Sequence, residues 1–202
     1  MTKTLWQSPA IMLLTTAVAC GSAYAQTQPA KPAKPAQAKP AQHVEKKPPK
    51  SDPTEQAVLL GQFGDWGAYQ ATLGGKKVCF ALAKPKSAVT VPANKKRDPS
   101  YAFVSTRPAE KVRNEVSMIV GYPQKAGVDA TATVGSASYV MYTQNDGAWI
   151  KNAAEEAQMV SAMRKGADLV IKSESARGTK TTDTYSLKGL DQALDKVAEE
   201  CK

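Results

Sequence analysis

The sequence predicts a mainly β sandwich with two added helices, preceded by a signal peptide and a disordered linker. Three observations carry that reading. From Val58 onward, short runs rich in β-branched and aromatic residues recur between Gly, Pro and Asn-Asp turn signals. Only two stretches in that region keep an apolar repeat of helical period with caps at their ends. Upstream of it the chain is Pro-, Ala- and Lys-rich and holds almost no side chain able to build a core.

The first residues read MTKTLWQSPAIMLLTTAVACGSAYAQ. Lys3 supplies a positive start, Ala10 to Cys20 an apolar run, and Ala23-Tyr24-Ala25 small residues at the cleavage positions. This is the pattern of a secretory signal peptide, residues 1–25, cleaved after Ala25. The apolar run is well short of the roughly 18–20 residues of a membrane span. A weaker reading takes AVAC as a lipobox and lipidates Cys20. Either way the expected location is the periplasm or the outer-membrane surface.

Residues 26–57 repeat a rough KPA motif. Proline fixes φ, the lysines repel one another, and an extended, polyproline-rich linker follows. His43, the chain's one histidine, lies there. The net charge of +9 is inflated by this segment: from Val58 to Lys202 there are 20 Lys and Arg against 15 Asp and Glu. The domain is mildly basic, its charges are scattered, and no nucleic-acid motif is present.

Within 58–202 the strands come in order. QFGDWGAYQAT sets Phe63, Trp66 and Tyr69 among glycines, and Gly74-Gly75 is a turn. In KKVCFALA, Val78, Phe80 and Leu82 face one way and Cys79, Ala81 and Ala83 the other. KPKSAVTVPANKKRDP reads as a basic loop. SYAFVSTRP and NEVSMIVGYP are β-rich and end at prolines, and ATATVGSASYVMYTQNDGAWI turns at Gly135-Ser136 and at Asn145-Asp146-Gly147. ADLVIKSESARGTKTTDTYSL is a hairpin turning near Arg177-Gly178.

The first helix starts at Asn152 with Glu155 three residues on, a capping box. Ala157, Val160 and Met163 line its apolar face and Gly166 stops it. In the second, Leu190, Leu194, Val197 and Cys201 fall on one helical face. After loss of Cys20 the exported chain keeps only Cys79 and Cys201, and an oxidising compartment makes them a disulfide candidate.

The chemistry is mostly exclusion. A domain without histidine cannot build Ser-His-Asp, Cys-His or histidine-metal sites. No CxxC, phosphate loop or cofactor motif is present. Asp65 and Asp183 are the best acid/base candidates, and each reads better as a turn or strand-face group. Candidate binding residues are Arg107, Lys111 and Arg113 around one turn, Arg177 and Lys180 at a hairpin tip, and the basic loop Asn94 to Pro99. Such loops suit an anionic surface or glycan, and allow peripheral membrane contact. Tyr139, Tyr142 and Trp149 form either an aromatic patch or cross-strand and core contacts.

FGDW, GGKKVCFAL, YAFVSTRPAEKVRNEVS, the run from DGAWIKNAAEEAQ to TTDTYSLKGL, and the terminal EEC together resemble the invasion-associated locus B family of alphaproteobacterial envelope proteins. The resemblance spans Phe63 to Cys201. It implies an exported, immunoglobulin-like β-sandwich, with some members linked to entry into red blood cells, and it brings no catalytic residues. Many members carry a cysteine in the strand after the GDW tryptophan. GAYQAT has none here, so the Cys79–Cys201 pairing rests on the cysteine count. The expected function is a non-catalytic binding module without cofactor, acting on an envelope component or a host-cell surface protein or glycan. The alternative is a periplasmic structural or assembly factor for envelope integrity.

Overall fold

A computed structural model describes residues 52–54 and 56–202. The expected signal peptide, Cys20, His43 and most of the linker lie outside the described residues. The strands are β1 (Ala57–Phe63), β2 (Trp66–Leu73), β3 (Lys76–Ala83), β4 (Ser87–Val91), β5 (Tyr101–Arg107), β6 (Val112–Ile119), β7 (Ala130–Val134), β8 (Ala137–Gln144) and β9 (Gly147–Ile150). Helix α1 (Glu156–Lys165), the hairpin β10 (Asp168–Glu174) and β11 (Lys180–Ser186), and helix α2 (Leu190–Glu200) complete the chain. Just upstream of β1, the Tyr101 hydroxyl donates to Asp52 Oδ2 at 3.4 Å and Lys84 Nζ lies 3.7 Å from the same carboxylate.

The protein is mainly β with two helices. Its layers come from one antiparallel sheet, ordered β1-β2-β3-β5-β6-β9-β8-β7-β10-β11-β4, which folds back on itself. β2 and β11 stand eight places apart in that order, about 38 Å in a flat sheet at ~4.8 Å per place. Yet the Trp66 indole N–H of β2 donates to Ser186 O of β11 at 2.8 Å. The seam continues where Asp65 N donates to Lys188 O at 3.0 Å.

The alternation of β3 explains how the inside is filled. Cys79, Ala81 and Ala83 point into the main core, where Trp66, Met118, Met141, Leu169 and Ile171 are also buried. Val78, Phe80 and Leu82 point outward into a separate cluster. There Phe80 stacks on Tyr69 at 5.4 Å and meets Phe103 at 5.7 Å. The small inward side chains admit α2, which packs on β2 and β3. Leu190, Leu194 and Val197 of its predicted stripe are fully buried, with Ala193. Cys201 follows as the cap residue and forms a disulfide with Cys79, Cα to Cα 6.0 Å, across 122 residues.

The structure corrects the sequence reading in detail. AVLLGQF forms β1, and the supposed loop KPKSAVTVPANKKRDP contains β4. Asn152 caps a 3₁₀ turn, Ala153–Glu155, its side chain accepting from Ala154 N, and α1 starts only after it. Within α1, Met159, Val160 and Met163 are buried and Ala157, in the first turn, is exposed. Gly166 has φ −79° and needs no left-handed backbone. A Cβ there would sit 2.6 Å from Val134 Cγ1, so close packing demands the glycine.

Glu156, in the first turn of α1, accepts from Val116 N at 2.7 Å and so ties the helix to β6. Burial raises its carboxyl above the usual range. The Val116 N–H opposes the rise, Glu115 adds to it and Arg107 opposes it. The folded state therefore holds this proton more tightly than the unfolded chain does. Its contribution favours folding at low pH and is lost as pH rises through that range. Glu156→Gln keeps an acceptor without the charge. In urea unfolding it is expected to match or exceed the natural protein at pH 7, with the gap closing near pH 4. Glu156→Ala leaves the N–H unpaired and is expected to cost about 1–3 kcal/mol. Replacing both cysteines, Cys79→Ala with Cys201→Ala, is expected to cost about 3–5 kcal/mol by the chain-entropy estimate. Reductant should lower the melting midpoint of the natural protein toward that of the double variant, and leave the variant's own midpoint where it is.

Candidate functional site

Two basic stretches far apart in sequence meet over the segment that follows β6. The first is the loop from Pro92 to Ser100, between β4 and β5. It turns at Asn94, φ +60°, a left-handed position that asparagine tolerates. Lys95 N then donates to Thr90 Oγ1 at 3.2 Å. The loop is clamped to the end of β6, where Asp98 N donates to Gly121 O at 3.1 Å. Gly121 has φ +77°, and a Cβ on it would fall 2.1 Å from Asp98 O. Only glycine allows that approach.

Arg97 turns inward from this loop. Its Nη1 donates to Asp183 Oδ2 at 2.8 Å and to Val120 O at 2.9 Å, and its Nη2 donates to Asp183 Oδ1. The guanidinium lies 5.8 Å from the centre of the Tyr122 ring. The pair is buried, the side chains of Arg97 and Asp183 being 11% and 1% exposed. Burial works against the Arg97 charge, and the Asp183 hydrogen bond and charge more than offset it, so the guanidinium is held above its ordinary range.

The second stretch is the tip of the β10–β11 hairpin. Gly178, φ +81°, makes the turn, and Thr179 N donates to Ser175 Oγ at 3.0 Å. The tip leans on the segment after β6: Ala176 N donates to Pro123 O and Lys125 N to Glu174 O, both at 2.9 Å. Buried Gln124 fixes that segment in turn, donating to Gly147 O at 2.7 Å and accepting from Ser173 Oγ at 2.5 Å. Both loops thus rest on residues 120–125.

Between them opens a cleft of about 520 Å³, walled by Thr90, Lys95, Lys96, Tyr122, Arg177 and Thr179 among others. Lys95, Lys96 and Arg177 are exposed and make no ion pair among the described residues. One exposed carboxylate, Asp98, shares the lining. The cleft is therefore positive, and its cations are free to meet a ligand.

The other candidates are placed elsewhere. Lys180 begins β11 but does not line the cleft. Arg107 is held by Glu115 through two hydrogen bonds of 2.7 and 3.1 Å and by Glu110 at 2.8 Å. The Glu115 bonds, foremost, raise its pKa. Lys111 on the β5–β6 turn and Arg113 at the start of β6 are exposed and lie outside the cleft. Asp65 is an exposed turn residue, while Asp183 is engaged by Arg97. Tyr142 and Trp149 are a stacked cross-strand pair 5.6 Å apart on the outer face, whereas Tyr139 is buried. The Arg97–Asp183 fork had no local signal, since its partners are 86 residues apart.

Fold and site define a single-sheet antiparallel β domain, braced by two helices and one disulfide, with a basic cleft between the β4–β5 loop and the β10–β11 hairpin tip. The chain belongs to the invasion associated locus B (IalB) family, whose model matches residues 75–198. A similar solved structure is that of invasion associated protein b from Bartonella henselae. It is 17% identical, and the match covers 71% of this chain and 97% of that one with a TM-score of 0.46. No curated protein matches the chain.

Asp183→Asn would leave the Arg97 charge buried without its counter-ion, at an expected cost of about 3–5 kcal/mol in urea unfolding. Arg97→Met combined with Asp183→Leu is expected to recover most of that loss, because neither charge then remains alone.

Proposed function

We propose that this protein is an exported, non-catalytic binding module of the cell envelope that recognises an anionic partner through the basic cleft. The observation that carries this reading is the convergence of Lys95, Lys96 and Arg177, all without counter-ions among the described residues, on one cleft held by buried polar contacts. Preorganised walls reduce the ordering cost of binding. A domain without histidine, whose best-placed carboxylate is engaged by Arg97, favours binding over catalysis. The signal-peptide pattern favours a periplasmic or outer-membrane location, with lipidation at Cys20 the weaker form of anchoring. Membership in an invasion associated family favours a partner at the envelope or the host-cell surface.

The test is a charge-reversed triple variant, Lys95→Glu, Lys96→Glu and Arg177→Glu. Near an anionic surface each cation contributes about 1 kcal/mol. Binding to lipopolysaccharide vesicles or erythrocyte membranes is therefore expected to fall at least about tenfold, with an unchanged melting midpoint. Binding by the natural protein should weaken with added salt. Undiminished binding by the folded variant would remove the cleft from the function.

A further inference from the structure

The sheet has two edges, and they are built differently. β1 carries a register shift between Leu59 and Gly61, a bulge of the kind that discourages strand pairing. β4 pairs with β11 in unbroken register, from Ser87 opposite Thr184 to Val91 opposite Lys180, and its other side meets no strand among the described residues. Its sequence, SAVTV, holds no charge and no proline. Val89 and Val91 are 54% and 62% exposed. The usual guards of an edge, charges, prolines or a bulge, are missing along its length. The edge is also continuous with the basic cleft, since Thr90 and Pro92 line it.

We propose that β4 receives an extended strand from a partner protein, a twelfth strand whose acidic flank lies over Lys95, Lys96 and Arg177. This rests on the anion-binding reading of the cleft and gives the partner a class. Unpaired backbone groups of β4 would supply the ladder, and alternate side chains of the incoming strand would meet Val89 and Val91. Charge selects among occupants. A second copy paired antiparallel through β4 would set Lys95 and Lys96 beside the other copy's Lys84 and Lys86, whose carboxylates Asp52 and Asp168 are already engaged, and would offer them no free counter-ion. An acidic segment meets attraction instead.

The probe is a capped ten-residue peptide of alternating valine and threonine with two glutamates at each end, titrated into the full chain. The comparison peptide is identical except for N-methyl groups on alternate amides, which cannot donate. Strand addition predicts slowed amide exchange within Ser87–Val91 and at least about tenfold weaker binding of the methylated peptide. Lysines in place of the glutamates should weaken it as well. Equal binding of both acidic peptides, displaced by dextran sulfate and without slowed exchange in β4, would overturn strand addition and leave the anion cleft standing. Binding of neither peptide nor dextran sulfate would overturn both. Dimerisation that protects the β4 amides without any peptide would assign the edge to a second copy and overturn the proposal.

Discussion

The fork between Arg97 and Asp183 joins fold and site in one interaction. Asp183 lies in the inward row of β11 with Thr181 and Tyr185, all nearly inaccessible to water. A carboxylate there is costly unless it is paired and hydrogen-bonded. Its partner comes from the loop between β4 and β5, and the same guanidinium also satisfies Val120 O at the end of β6. One side chain thus ties three parts of the chain across the fold of the sheet. A planar guanidinium meets both carboxylate oxygens at once, which a lysine cannot do. Because loop displacement would strand a buried charge, the loop carrying Lys95 and Lys96 is held by the fold's own stability.

Another fastener holds the helix against the sheet by different physics. The disulfide limits the unfolded chain, and the alanines beside Cys79 let α2 come close enough for the bridge to form. The start of α2 is equally constrained. Gly189 has φ +91°, and a Cβ on it would fall 1.8 Å from Phe63 O, so the β1–β2 turn and the helix entry meet only through a glycine. Asp65 N, bonded to Lys188 O, completes that contact. Loss of the bridge therefore bears on α2, and loss of the fork on the cleft loop.

Much of this was legible in the sequence because it is local or countable. Once Cys20 is assigned to the expected signal peptide, two cysteines remain and allow one pairing. The stripe of Leu190, Leu194, Val197 and Cys201 needs only helical period. The glycine and Asn-Asp turns are local chemistry, and the two-faced alternation of β3 separates core from outer cluster. The misses have equally physical causes. β1 has a bulge in place of strict alternation. β4 is five uncharged residues between prolines and lysines, so its surroundings dominated the reading. On α1 the i, i+3 spacing drew in Ala157, which lies more than about 100° round the helix from the centre of the Met159, Val160 and Met163 face, and passed over Met159. That one sheet makes both layers depends on hydrogen bonds between distant strands. Each basic loop of the cleft was visible; their meeting is tertiary. The neutralisation of Arg107 did have a sequence signal, with Glu110 three residues away and Glu115 across the turn.

The exposure of the cleft's cations bears on what it can hold. Lys95, Lys96 and Arg177 stand in water, where a single ion pair is weak and screened by salt. A small anion touching one or two of them would gain little over its hydration. An extended partner gains differently: once one segment is seated, the next charges arrive at high effective concentration, and modest contacts combine. The buried fork and Gln124 contribute by keeping both loops in place, so that little ordering cost offsets those contacts. A wide cleft whose solvated cations make no ion pair among the described residues is thus matched to an extended anionic partner rather than to a small enclosed ligand.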